Sequence, residues 1–193
     1  MGGMRRRSLF LAPAVTAVAC LILAACTGGT APRAVPVTAT AAGPAGSPGH
    51  PVVFSCAEES FTDGTFPQQA QPGDLAIGPL IIVAGQRVAT ADPAGYGEHG
   101  SYKIPFTVTM GATVTVTIDP PARGHVVISS PYAPAGVTAA TYRSCARAPG
   151  FFAQGFAFTG GQTRGCVPLD VRVGHQPRVR HLTLSLFAGS CSG

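Results

Sequence analysis

The chain has 193 residues, of which 46% are hydrophobic and only 11% are charged, and its formal net charge is +5. Three of its 13 basic residues, Arg5-Arg6-Arg7, precede an apolar N-terminal run, and without them 10 basic residues face 8 acidic ones. This near balance excludes the strongly basic surface expected of a nucleic-acid-binding protein. Residues 52–193 are numerous enough to form one domain that hides roughly two thirds of its surface.

The first 25 residues have the pattern of an export signal. Arg5-Arg6-Arg7 are followed by an uncharged run from Leu9 to Ala25 that ends in small residues, which is typical of a secretory signal peptide. The segment Leu23-Ala24-Ala25-Cys26 resembles the lipobox of bacterial lipoproteins. The resemblance implies cleavage before Cys26 and a diacylglyceryl group on its thiol. The chain would then be anchored at the extracytoplasmic face of the cell membrane, with Cys20 lost in the cleaved peptide.

Two other interpretations of this segment stay open. It could be an ordinary secretory signal in which Cys26 occurs by chance, or a retained transmembrane helix. The run contains Pro13 and is close to the lower limit of roughly 17 residues for a helix that spans a bilayer. The pattern therefore favours a lipid anchor over a transmembrane helix.

Residues 26–51 are rich in Ala, Pro, Thr and Gly and contain no aromatic residue. Such a composition buries too little apolar surface to offset the entropy lost on ordering. We expect a flexible linker over 26–51 and a folded domain over 52–193. A glycosylated Thr/Pro stalk is the alternative for the linker.

The domain alternates short apolar segments with turns rich in Gly and Pro. The run from Leu75 to Ala84 suits a strand buried on both faces, bent at Gly78-Pro79. Apolar residues then occupy every second position from Ile104 to Met110 and from Val114 to Ile118, which predicts two strands. Met110-Gly111-Ala112 between them is typical of a hairpin turn.

Further strand candidates lie at 52–56, 125–129, 137–145, 151–158, 166–173 and 178–187. No segment combines a 3.6-residue apolar period with helix caps. Eight or nine short strands with frequent turns predict an all-β fold, a single antiparallel β-sandwich of immunoglobulin-like architecture.

Three segments of the domain carry a second resemblance. They are Gly73-Asp74-Leu75-Ala76-Ile77-Gly78-Pro79-Leu80, Thr141-Tyr142-Arg143-Ser144-Cys145 and Gly165-Cys166-Val167-Pro168-Leu169. With them, most of 52–191 is similar to uncharacterised exported β-rich proteins of actinobacteria. The resemblance implies an exported β domain and brings no catalytic residue and no cofactor with it.

The domain holds four cysteines, Cys56, Cys145, Cys166 and Cys191. An even number in an exported chain predicts disulfides, and four cysteines allow three pairings. We favour Cys145–Cys166 together with Cys56–Cys191, because the second bridge would tie the first strand to the last. None has the CxxC spacing of a zinc knuckle or a thioredoxin-type site.

Four histidines and one methionine of the domain are weak metal-ligand candidates. Small exported β-sandwiches sometimes bind copper through such residues, but no pair has close ligand spacing, and polar surface histidines explain the pattern equally well. We therefore expect no metal site. The candidates are His99, His125, His175, His181 and Met110.

Other chemical patterns are weaker still. Glu58, Glu59 and Asp63 cluster in one predicted loop, where a solvated acidic loop is the simpler explanation than a glycosidase pair. Ser190-Cys191-Ser192 lacks the Gly-x-Ser-x-Gly pattern of a nucleophile elbow. Four phenylalanines could form an exposed patch, although alternation favours the core for at least two of them. They are Phe151, Phe152, Phe156 and Phe158.

Charge is divided unevenly along the domain. Residues 52–104 contain six acidic and two basic residues, whereas 105–193 contain seven basic and two acidic ones. An anionic cell-wall polymer, a lipid headgroup or an acidic protein could bind the second half if its arginines share a region. They are Arg143, Arg147, Arg164, Arg172, Arg178 and Arg180. Ion pairs between neighbouring strands are the alternative.

Taken together, these patterns predict a lipid-anchored, non-catalytic interaction module. A small metal or ligand carrier is the other possibility, and a cell-wall hydrolase is less favoured.

Overall fold

The computed structural model describes residues 44–59 and 69–191. The predicted signal peptide, the lipidation site Cys26 and most of the predicted linker lie outside the described residues, as do Asp63 and Ser192. Regular structure in the described ranges consists of β-strands and four 3-10 turns, with no α-helix. These ranges contain no helical segment with the length and apolarity that a membrane crossing requires.

Fourteen short strands are described, and they form three sheets. The central sheet has the order β1-β10-β7-β13-β14, the second sheet β11-β6-β3-β2, and the third sheet β4-β5-β12-β8-β9. The strands are β1 (Val52–Phe54), β2 (Leu75–Ile77), β3 (Leu80–Ile82), β4 (Gly97–Glu98), β5 (Ser101–Lys103), β6 (Phe106–Val108), β7 (Thr113–Ile118), β8 (Val126–Ser130), β9 (Ala133–Val137), β10 (Ala139–Arg143), β11 (Gly150–Phe152), β12 (Gly155–Phe158), β13 (Gly165–Val173) and β14 (Val179–Leu186).

The all-β prediction is confirmed, but the strands are distributed over more sheets than the sequence suggests. Three sheets are present rather than one facing pair. One strand pair, β1 with β10, is parallel, and the other pairs are antiparallel. Because Gly and Pro interrupt the apolar segments so often, several predicted strands are divided into two shorter ones.

The best predicted strand, β7, lies in the middle of the central sheet. Its valines and Ile118 are buried, and the intervening threonines are half-buried on the opposite face. This arrangement follows directly from the two-residue period of a strand. The alternation therefore defines an inner face toward the core and an outer face rich in hydroxyl groups.

The expected hairpin at Met110-Gly111-Ala112 is wrong. β6 pairs with β3 and β11 in the second sheet, whereas β7 pairs with β10 and β13 in the central sheet. The turn forms, with Gly111 at a φ of 72°, but the chain changes sheets there. The Ser144 hydroxyl donates to the Thr109 carbonyl at 2.6 Å and accepts from the Ala112 amide at 3.0 Å, so a residue distant in sequence holds this turn.

A true hairpin occurs instead at Gly78-Pro79. Leu75 pairs with Ile82 and Ile77 with Leu80, which leaves a two-residue loop. Gly78 has a φ of 60°, and proline holds its own φ near about −65°. Glycine followed by a residue of negative φ suits a type II′ hairpin turn. The long apolar run thus becomes two short strands of the second sheet.

One hydrophobic core is shared by the three sheets. Tyr142 is fully buried at its centre, with ring centroids 5.5 Å from Phe54, 5.5 Å from Phe106 and 5.1 Å from Phe152. These four rings come from the central and second sheets, so aromatic packing joins the two sheets.

Two disulfides are present in residues 44–59 and 69–191, Cys56–Cys145 and Cys166–Cys191, with Cα–Cα distances of 5.3 and 5.8 Å. The presence of two bridges is confirmed, but the expected pairing is wrong. β1 and β14 are the two edges of the central sheet, so Cys56 and Cys191 lie far apart. Cys56 and Cys145 instead follow two parallel neighbours, β1 and β10, at the same end of the sheet.

Residues 44–51, which composition assigns to the linker, lie against the domain. The Gly46 carbonyl accepts hydrogen bonds from the Thr138 and Ala139 amides at 2.9 and 2.8 Å. A Cβ at Gly46 would lie 2.5 Å from a methyl carbon of Val137, so glycine permits this close approach. The chain therefore joins the domain at the start of β10.

Candidate functional site

The two ends of the central sheet differ in the residues they carry. β1, β10 and β13 finish at one end, where β7 and β14 begin, because these neighbours alternate in direction after the parallel first pair. We call this the arginine end. The opposite end, where residues 44–51 join β10, we call the tether end.

Five of the six candidate arginines belong to the arginine end. Arg143 and Arg172 lie near the ends of β10 and β13, on the outer face, where they flank the threonines of β7. All five are exposed, and none forms an ion pair with any residue in 44–59 or 69–191. They are Arg143, Arg147, Arg172, Arg178 and Arg180; Arg164 precedes β13 at the tether end.

Two carboxylates share the arginine end, and each is occupied by a local contact. Glu58 accepts from the Ser55 amide and hydroxyl, both at 2.7 Å, and these hydrogen bonds lower its pKa. Glu59 is buried and accepts from the Cys145 amide at 3.3 Å. Burial raises the pKa of Glu59, and the Cys145 amide partly opposes that shift. Neither carboxylate pairs with an arginine in the described residues.

A second cluster lies on the outer face, nearer the tether end. Asp170 of β13 and His181 of β14 are cross-strand partners, with Asp170 Oδ1 2.5 Å from His181 Nδ1. Asp119 follows β7 directly, and its amide donates to the Pro168 carbonyl at 3.0 Å. That register makes Asp119 a diagonal neighbour of Asp170. One ligand atom from each of the three residues lies within 4.8 Å of the others.

Electrostatics couples these three side chains. The pKa of Asp119 is raised by desolvation and then by the charge of Asp170 and a hydrogen bond to it. His181 and Arg123 act in the opposite direction. Two carboxylates in contact thus lie beside an imidazole and a guanidinium, with Arg123 held by its Nε–H donating to the Ile118 carbonyl at 2.6 Å.

The metal-ligand candidates from the sequence are not brought together. His99 is exposed beside Glu98 in the third sheet, and His125 precedes β8 of that sheet. His175 lies in the turn between β13 and β14, and Met110 is 49% exposed next to the β6–β7 turn. His181 is the candidate that lies beside two carboxylates, those of Asp119 and Asp170. The sequence pattern did not identify either aspartate as a ligand.

The other predicted patterns have structural explanations. Phe151, Phe152 and Phe156 are buried and Phe158 is half-buried, so the phenylalanines serve the core rather than an exposed patch. Cys191 is bonded to Cys166. Glu58 and Glu59 are separated by burial and by their hydrogen-bond partners, so they do not flank a common space.

An open groove of about 520 Å³ lies between the second and third sheets. Its floor is mostly apolar, and Lys103 is the one charged residue of its lining. The lining consists of Ser101, Tyr102, Lys103, Pro105, Ser129, Ser130, Pro131, Pro134, Phe151, Ala153, Gln154 and Gly155. Its chemistry is distinct from that of the two charged clusters of the central sheet.

Comparisons with known proteins add no family to this description. No family model, curated protein or solved structure matches the chain.

Proposed function

We propose that this protein is a lipid-anchored, extracytoplasmic and non-catalytic binding module that holds an anionic cell-wall polymer at its arginine end. The observation that carries the proposal is the group of five exposed arginines without ion pairs in the described residues. A guanidinium is always charged and presents paired N–H donors that suit phosphate and carboxylate groups. Arginines left unpaired by the protein remain available to such a partner.

The position of the tether favours a polymer over lipid headgroups. Residues 44–51 join the domain at the end opposite the arginines. If Cys26 carries the anchor, the arginine end is the one farther from the chain's attachment. An extended polymer also suits arginines that are distributed from β10 to β14, since these strands are three spacings, about 14 Å, apart in the sheet.

The compartment has separate support. All four cysteines of the domain are in disulfides, and such bonds persist in oxidising compartments outside the cytoplasm. The lipid anchor itself rests on the lipobox resemblance at Cys26. We expect Cys26→Ala to release the protein into the medium or leave it unprocessed, as measured by membrane fractionation and mass spectrometry. A variant that is cut and membrane-bound like the wild type would contradict the anchor.

The polymer proposal is tested with the exported protein and long-chain polyphosphate. We expect binding that weakens as salt is raised, because the screening length falls from about 8 Å at physiological ionic strength to about 3 Å at 1 M. Replacing Arg143 and Arg172 together by alanine should reduce affinity about 25-fold, at about 1 kcal/mol per charge. Fluorescence anisotropy of labelled polymer measures both effects.

Arg164→Ala is the matched control, since Arg164 is equally exposed but lies at the tether end. It should leave the affinity within about twofold of the wild type, as expected for a charge about a screening length or more away. Equal losses for both variants, or binding that ignores salt, would refute the proposal. Vesicles containing anionic lipid provide the second arm: stronger binding to vesicles than to polyphosphate would assign the arginines to the membrane surface.

An immunoglobulin-like arrangement of the sheets remains our prediction; what supports it is the single core that the three sheets share.

A further inference from the structure

We propose that Asp119, Asp170 and His181 form a binding site for a divalent first-row metal ion of the zinc type. This site is independent of the arginine end and of the polymer it would hold. It is built by three neighbouring strands of the central sheet, β7, β13 and β14. Convergence of three potential ligands on one sheet face is the first observation that supports it.

The register explains why these side chains meet. Asp170 and His181 are directly opposite each other, so both point to the outer face. Asp119 continues the outward series of Thr115 and Thr117 in β7. Because a sheet holds cross-strand neighbours about 5 Å apart, the three ligands are positioned by backbone pairing rather than by a mobile loop.

One atom of the cluster lacks a suitable partner. Asp170 Oδ1 is inaccessible to solvent and forms no hydrogen bond of acceptable geometry with any described residue. His181 Nδ1 lies 2.5 Å from this oxygen. A desolvated carboxylate oxygen without a hydrogen bond is costly, and a cation bound by both atoms, once they separate, would satisfy a lone pair on each.

The chemistry of the donors selects the metal class. Two carboxylate oxygens and one imidazole nitrogen suit zinc and similar borderline ions, whereas calcium and magnesium prefer oxygen alone and copper(I) prefers sulfur. Three protein ligands leave a coordination position open. Since the His181 side chain is 74% exposed, water can fill that position.

Metal binding requires one small rearrangement. Two ligands of a tetrahedral zinc ion with bonds of about 2.0–2.1 Å lie about 3.3 Å apart. Asp170 Oδ1 and His181 Nδ1 must therefore separate from 2.5 Å, which the exposed imidazole can do by rotating. The positive charge of Arg123 disfavours the bound metal ion, because its guanidinium interacts electrostatically with Asp119 at the edge of the site.

The test is calorimetric titration of the full exported chain with Zn²⁺ under non-reducing conditions. We expect one ion per chain. Changing a residue that merely orients a ligand costs about 10- to 100-fold in metal affinity, so Asp170→Asn and His181→Gln should each weaken binding by at least about 100-fold. Arg123→Gln should tighten it. Zn²⁺ should also raise the melting temperature of the wild type and not of the two ligand variants.

His99→Gln is the matched control, since His99 is also exposed and also lies beside an acidic residue, Glu98. It should bind Zn²⁺ as the wild type does. No saturable binding by the wild type, or undiminished binding by Asp170→Asn and His181→Gln, would overturn the site. Far-UV circular dichroism identifies any variant that fails to fold, and for such a variant Asp119→Asn takes its place in the titration.

Discussion

The two ends of the central sheet use charge in opposite ways. At the arginine end, five like charges are exposed and separated, and the acids nearby, Glu58 and Glu59, are occupied by local hydrogen bonds. Nearer the tether end, Asp119, Asp170 and His181 converge within 4.8 Å. Separated charges act through long-range, salt-sensitive attraction, whereas converged ligands act through short contacts. One sheet therefore offers two surfaces with different chemical selectivity.

Each end also has its own disulfide, and the two should differ in their contribution to stability. The Cys56–Cys145 bridge joins cysteines that are 89 residues apart, and the Cys166–Cys191 bridge joins cysteines that are 25 apart. Replacing both cysteines of a bridge by serine removes its constraint on the unfolded chain. In the chain-entropy model these bridges contribute about 4.6 and about 3.5 kcal/mol. Urea unfolding of the two double variants measures the difference. A larger loss at the tether end would show that chain entropy does not rank the bridges.

Each end of the central sheet also buries a hydroxyl group, and removing one should change the free energy of unfolding less than removing a disulfide. Tyr142, next to Arg143, and Ser185, opposite Cys166, have hydroxyl oxygens without a hydrogen bond to any described residue. Tyr142→Phe should raise the free energy of unfolding by about 1 kcal/mol, because it removes a buried unsatisfied group. Burial raises the pKa of Tyr142, and the Gln154 side chain acts in the opposite direction. The Gln154 amide atoms also form no hydrogen bond to a described residue by geometry. Loss of stability in urea unfolding would mean that the hydroxyl has a partner.

Between the two ends, a pair of threonines joins β7 to β10. Thr115 Oγ1 and Thr141 Oγ1 are 2.8 Å apart. Thr141→Val should cost about 0.5–1.5 kcal/mol, since it leaves the Thr115 hydroxyl without its partner. The double variant with Thr115→Val should lose less than the sum of the single variants. Additive losses would indicate that the two hydroxyls are not coupled.

The smallest effect is a pH dependence that has opposite signs for Glu58 and Glu59. Burial raises the pKa of Glu59 above 4.5, so the folded state binds its proton more tightly and stability falls as pH rises from about 4.5 through the raised pKa. Hydrogen bonds from Ser55 lower the pKa of Glu58, so its contribution is present above 4.5 and is lost as pH falls through the lowered pKa.

Two adjacent variants test this pair of signs. Glu59→Gln should reduce the decline of stability above pH 4.5, and Glu58→Gln should reduce the decline below it. Melting temperatures between about pH 3 and pH 7 measure both slopes, which arise from the proton difference between folded and unfolded states. Identical profiles for the two variants would contradict the assigned environments.

Strand content could be predicted from sequence wherever alternation is strict, and β7 is the best example. Pairing could not be predicted, because strand order depends on contacts between distant segments. Ser144 illustrates this: it holds the turn at Gly111, and no local pattern indicates that β6 and β7 enter different sheets.

The disulfide pairing and the Asp119–Asp170–His181 cluster could not be predicted either, because both depend on which distant strands lie side by side. Cys56 and Cys145 meet only because β1 lies parallel to β10. Asp119 resembles a strand terminator before two prolines, and Asp170 resembles an ordinary outward residue of a strand. Their spacing of 51 residues becomes proximity only once the β7–β13 register is known. By contrast, the candidate arginines could be proposed as a group because all of them lie between residues 105 and 193.

The parallel pair of β1 and β10 also determines how the domain would respond to pulling. A pull on the N-terminal chain meets the hydrogen bonds between Gly46 and the start of β10 first. It then reaches β1, an edge strand that could peel away. The load then meets the covalent bond at Cys56, four residues after the start of β1 at Val52. Peeling would therefore lengthen the N-terminal chain by at most about 14 Å before force passes to β10, inside the sheet. The Cys56–Cys145 bridge would therefore let the domain resist a pull on its N-terminal chain without unfolding of the core.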